Sequence, residues 1–225
     1  MSSQTDGSTG ARSAILGALR KSLGRTALDL DVVAGEAQSL LGDATRHQPK
    51  FDDQTSRARF IERATSERLT ATVDEVAALA DAPAAVQRYL QQCDLPAQIS
   101  HPPMDCLREL DWGAIACHET LSPDEPVAVN IADWAIAETG SLVFTSRSDS
   151  PTLYSYLPLH HVILVDGGGI LRYMEDYWAM IRAADTAPPR STNFITGTSG
   201  TADIEAQNIR GAHGPRFMHI VIFGE

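Results

Sequence analysis

The chain has 225 residues, 43% of them hydrophobic and 21% charged, with 18 basic against 29 acidic side chains for a net charge of −11. No apolar run approaches the roughly 18 to 20 residues needed to cross a bilayer, so a membrane span is not expected. An acidic chain without a concentrated basic run repels a phosphate backbone, which argues against nucleic-acid binding.

The start, MSSQTDGSTGAR, has neither the basic nor the apolar region of a secretory signal, and a cytoplasmic location follows by default. Residues 1–10 are too polar to bury surface and are expected to be unordered. In ARSAILGALRKSLGR, Ile15, Leu16, Leu19 and Leu23 recur at helical spacing. They predict an amphipathic helix ending near Gly24, which packs on the chain's own core or on a partner or second copy. The polar stretch around Pro49 separates a helical extension over residues 1–50 from a domain over 51–225.

SRARFIERATSERL predicts a helix with Phe60, Ile61, Ala64 and Leu69 on one side. ATVDEVAAL fits a strand or a helix, and Pro83 suits the first turn of a helix through PAAVQRYLQQC. From residue 97 onward, short apolar runs at 98–100, 114–117, 127–132, 141–146, 160–165, 193–197 and 217–223 predict strands, with a helix over 174–184 between two of them. Several runs are continuously apolar, as strands buried on both faces are. The class implied is α/β, with a parallel-rich sheet and flanking helices. Cys93, Cys106 and Cys117 are odd in number, far apart and free of any C-x-x-C pair. No zinc or iron–sulfur site, and no cofactor of the chain's own, is expected.

Three stretches could carry chemistry. The Ala137-Glu138-Thr139-Gly140 turn joins two apolar segments and puts a carboxylate at a sheet edge, where it either holds the bend or meets a ligand. His160 and His161 enter a strand side by side and must face opposite ways, so at most one can serve a given site, while DGGGI at 166–170 reads as a strand-to-helix loop. Gly197 to Thr201 can gather backbone N–H groups and hydroxyls into an anion-binding nest, or cap a helix beginning at Ala202. His213-Gly214-Pro215-Arg216 adds an imidazole and a cation. The candidate set is therefore Glu138, Asp203 and His213 for acid–base or nucleophilic work, with Thr139, Gly140, Ser199, Thr201, Gly214 and Arg216 around a small anion. Ser199, Asp203 and His213 supply triad residue types without a G-x-S-x-G elbow, and no H-E-x-x-H spacing supports a metal site.

IAETGSLVF, TLYSYLPLHHVILV and ITGTSGTADIEAQNIRGAHGPRFMHIVIF, in that order behind the leading helix, resemble the LUD family, the lactate-utilization protein C group. The resemblance implies a fold similar to the ribose-phosphate isomerase and coenzyme A transferase group. It also implies a role in oxidation of L-lactate to pyruvate beside iron–sulfur partner proteins, the chain binding a small anion. The alternatives are an autonomous transferase or isomerase using Glu138, or a non-catalytic module. Where the family reads G-P-S-R-T-A-D-I, this chain has Gly197 to Ile204 with Gly200 at the arginine's place, so that Arg216 or Arg147 would have to supply the cation.

Overall fold

The computed structural model describes residues 6–24, 29–42, 48–184, 187–202 and 208–225. The chain divides into two compact units, Met1–Pro49 and Lys50–Glu225. The first holds α1 (Asp6–Ser22) and α2 (Leu30–Gly42). Helix α1 starts within the stretch expected to be unordered, and Gly24 follows it at φ +61°, a left-handed conformation suited to a helix end. Helix α2 was not expected from the sequence. The Asp29 carboxylate initiates it by accepting from Asp31 N at 2.9 Å.

The second unit is built on a parallel sheet of six strands in the order β1-β12-β7-β4-β2-β3. Their ranges are β1 Thr72–Val76, β2 Gln98–Ser100, β3 Ala116–His118, β4 Val127–Ile131, β7 His160–Asp166 and β12 Phe217–Phe223. Strands β4, β7 and β12 are almost wholly buried because both faces are covered. One face carries Ala85, Val86, Tyr89 and Leu90 of α4 (Ala82–Gln92) and Leu107 of α5 (Asp105–Arg108) against Val129, Val162, Leu164 and Val221. The other packs Ile163, Val165, Ile220 and Ile222 on Phe60 and Ala64 of α3 (Ser56–Ala64) and on Ala135, Leu142 and Phe144.

Those last three belong to a second sheet, ordered β8-β5-β6-β9, formed by β5 Trp134–Ile136, β6 Ser141–Thr145, β8 Ile170–Leu171 and β9 Thr192–Ile195. Alternation along β5 and β6 turns Ile136 and Val143 to its far face, onto Tyr177 of α6 (Met174–Ala183). Strands β10 (Gly200–Ala202) and β11 (Asn208–Arg210) pair antiparallel by themselves.

Three local expectations change. The helix predicted to run to Leu69 stops at Ala64, where the hydroxyls of Thr65 and Ser66 bond back to the carbonyls of Ile61 and Arg63. DGGGI, read as a strand-to-helix loop, is a 3₁₀ turn followed by the short strand β8 before α6 begins. Ala202 belongs to a strand, so no helix capped by Ser199 or Thr201 begins there; pairing with β11 overrides the capping signal. Cys93 and Cys117 are exposed and Cys106 is half-buried. Among the described residues, no helix is long and apolar enough to cross a membrane.

Candidate functional site

The Glu138 turn lies at the end of the sheet opposite to that favoured by ligands of open α/β folds. Gly140, at φ +73°, sits where a methyl would lie 2.9 Å from Leu69 Cδ1 and 3.1 Å from Ala64 N. Leu69 precedes β1, so the turn meets the amino-terminal end of the parallel strands. Gly197, at φ +78°, approaches the same residue, a methyl there falling 2.8 Å from Leu69 Cα. Thr198 N donates to Leu69 O at 3.1 Å, and the hydroxyls of Thr198 and Thr70 meet at 2.9 Å. Two glycine turns distant in sequence are thus pressed against one loop.

Between them lies a cavity of about 460 Å³ lined by Arg63, Ser66, Arg68, Leu69, Thr139 and Thr196. A row of hydroxyls runs along its wall, with Thr139 Oγ1 to Ser141 Oγ at 2.7 Å and Ser141 Oγ to Thr196 Oγ1 at 2.6 Å. Arg63 Nε donates to the carbonyl of Glu138 at 3.1 Å, tying α3 to the turn. The Glu138 carboxylate is turned elsewhere: Oε2 accepts from Met174 N, 3.3 Å away at the start of α6, where a negative charge meets the helix dipole favourably.

His213 and Gly214 line a second cavity, of about 550 Å³, with Pro123 to Pro126, Tyr156 to Leu159, Gly211 and Ala212. It too lies at the amino-terminal end, since Pro126, Leu159 and Arg216 immediately precede β4, β7 and β12. Ser199 belongs to this side, its N–H donating to Pro215 O at 2.9 Å and its carbonyl accepting from Gly211 N at 3.0 Å. The Arg216 guanidinium lies 5.5 Å from the centre of the Phe217 ring. The candidate set therefore divides: Thr139 and Gly140 stand at the first cavity, and Ser199, His213 and Gly214 at the second. Asp203 and the side chain of Thr201 lie outside the described residues.

Arg147 serves neither cavity. It pairs with Asp133 at 2.8 Å and with Asp149 at 3.5 Å, beyond the carboxyl end of β4. The buried histidines also stand apart. Tyr89 OH and His160 Nδ1 are 2.9 Å apart, and His219 stacks on Tyr89 with Nδ1 2.8 Å from Thr72 Oγ1. His161 faces the opposite side beside Phe144, with neither ring nitrogen hydrogen-bonded. Burial pushes the imidazole of His161 down to about 3 and that of His219 to about 4, so both are neutral core groups. Among the described residues, no three His, Cys, Asp or Glu side chains are placed to hold a metal ion.

Residues 127–223 match the LUD domain model. The stretch includes Glu138, Thr139, Thr196, Ser199 and His213, hence one wall of the first cavity and much of the second. The chain is similar to lactate utilization protein C of Bacillus licheniformis, 30% identical over 118 residues, 50% of this chain and 49% of that protein. It is also similar to the protein of that name from Geobacillus thermodenitrificans, 28% identical over 200 residues, 85% of this chain and 82% of the relative. The chain thus spans about half the length of the first and most of the second. A crystal structure of a DUF162 family protein from Deinococcus radiodurans shares the fold, with a TM-score of 0.55 at 21% identity over 76% of this chain and 100% of the other.

The stretch that matches the LUD domain model leaves out the cationic wall. Arg63, Ser66 and Arg68 precede residue 127, and they were missed as site residues because they sit in what looked like one continuous helix. Arg63 and Glu67 are spaced as an i,i+4 ion pair. Since the helix stops at Ala64, that spacing no longer brings them together.

Proposed function

We propose that this chain is an accessory component of an L-lactate oxidation system, working in the cytoplasm beside iron–sulfur partner proteins and binding a small anion in the cavity between Arg63, Arg68, Thr139 and Thr196. The observation that carries the anion reading is the convergence of two arginines and a row of hydroxyls on that cavity. The pathway reading is supported by similarity to proteins named lactate utilization protein C, one of them aligned over 85% of this chain. The lack of a C-x-x-C pair agrees with clusters carried on other chains.

The transferase or isomerase reading needs a free Glu138 carboxylate, and the Met174 N contact favours a capping role for it instead. Deleting the gene should abolish growth on L-lactate as sole carbon source, and the full chain should restore it. A tagged chain isolated under native conditions from lactate-grown cells should bring down cluster-bearing proteins, recognisable by their visible absorption. Unimpaired growth of the deletion strain, together with isolation of the chain alone, would sink the pathway reading.

A further inference from the structure

In a chain of net charge −11, arginines are readily claimed by carboxylates. Arg57 pairs with Glu75, Arg88 with Asp74, Arg108 with Glu119, Arg147 with Asp133 and Arg172 with Asp52. Arg63 and Arg68, on the first cavity, have no carboxylate within ion-pair distance among the described residues. Of the acids nearby, Glu62 takes hydrogen bonds from Gln54 and Arg59 and feels the Arg63 charge only through space, and Glu138 takes a hydrogen bond from Met174 N. Two guanidinium groups with no ion-pair partner among the described residues, on one concave surface, favour an anion from solution.

A third arginine reaches the backbone of the segment that forms this wall. Pairing of β10 with β11 sets Arg210 directly opposite Gly200, which has no side chain to compete for that face. Arg210 Nη2 lies 3.4 Å from the carbonyl oxygen of Glu67, the residue between Ser66 and Arg68 of the cavity wall. Arg210 is thereby a better placed cation for this cavity than Arg147, held by Asp133, or Arg216, laid over Phe217.

We propose that the cavity binds a phosphoryl-bearing small molecule, its phosphate held by Arg63, Arg68 and Arg210, with a hydroxyl of the Thr139–Ser141–Thr196 row completing the shell. This deepens the anion-binding reading above and rests on it. A monocarboxylate carries one charge on two oxygens, which a single bidentate arginine satisfies. Three guanidinium groups instead match a phosphate monoester, with roughly −1.5 to −2 charge at pH 7 and three acceptor oxygens. The volume of about 460 Å³ leaves room for the remainder of a phosphorylated metabolite.

The test is calorimetric titration of the full chain with inorganic phosphate and, separately, with L-lactate and pyruvate, for the wild type, Arg68→Gln and Arg210→Gln. Circular dichroism checks that both variants fold. Phosphate should bind the wild type and bind each variant about tenfold more weakly, with lactate and pyruvate failing to compete. Binding of lactate or pyruvate without phosphate would overturn the phosphoryl class and leave the small-anion reading standing. No binding of any of the three would overturn both. Phosphate binding of equal strength in the wild type and both variants would overturn the assignment to this cavity.

Discussion

The two cavities lie at the same end of the same sheet and differ in almost everything that decides what they can hold. The first is lined by Arg63, Arg68 and hydroxyls, and the second by prolines, Tyr156, Asp124, Glu125 and His213. They share one segment, residues 196–199, which offers Thr196 to the first and the backbone of Ser199 to the second. Location at a sheet end does not settle ligand chemistry. The loops entering from before residue 127 do, because they decide the sign of the charge.

The largest effect should come from neither cavity. With reference values of 6.5, His161 at about 3 and His219 at about 4 are depressed by folding. Their contribution is fully present above pH 6.5 and lost as pH falls toward the folded values, because the unfolded chain then binds more protons. Between pH 8 and pH 5 the loss is about 2 kcal/mol per imidazole, measurable by urea unfolding at the two pH values. His161→Leu should remove about half of this dependence without lowering stability at pH 8, since it deletes two ring nitrogens that have no partners.

Gly197→Ala should cost about 3 kcal/mol by the same measurement, from its left-handed backbone and the approach to Leu69. Gly214→Ala, at the second cavity, has its one tight approach to Ser199 Cβ, at 3.2 Å, with Ser199 Oγ and Tyr156 O at ordinary distances, and should cost no more than about 1 kcal/mol. Equal losses would mean that the two turns are not distinct in how tightly they are held. Glu138→Gln keeps an acceptor for Met174 N but loses the charge at the start of α6, and should cost about 0.5 kcal/mol while leaving phosphate binding intact. Abolished binding in that variant would return Glu138 to the site. His213→Ala should change stability by less than about 0.5 kcal/mol and leave anion affinity unaltered, because His213 is exposed and lines the other cavity.

Much of the fold was legible from the sequence. Continuous apolar runs such as VAVNI and HHVILV became central strands because burial on both faces selects such runs, and Pro83 stands in the first turn of α4 as its fixed φ requires. Gly200 to Ala202 misled because Ser and Thr beside Asp signal a cap, a local preference that strand pairing overrides. The candidate site was half legible. Glycine turns with hydroxyls betrayed Thr139 and the 197–199 segment, and their common contact with Leu69 depends on tertiary approach that no spacing encodes. Arg63 and Arg68 were invisible because they sat in what read as one continuous helix, and Arg210 because only the pairing of β11 with β10 and its contact with Glu67 O bring it near them.

The hydroxyl row allows a count. Thr139, Ser141 and Thr196 bring three protons to two mutual hydrogen bonds, and Ser141, in the middle, is buried. One proton is left over, and since a spare donor on buried Ser141 would go unpaired, it sits at one end of the row or the other. The wall therefore offers a single hydroxyl donor, and a concerted turn of all three groups moves it between Thr139 and Thr196, so an incoming oxygen on either side selects the direction in which the whole row points.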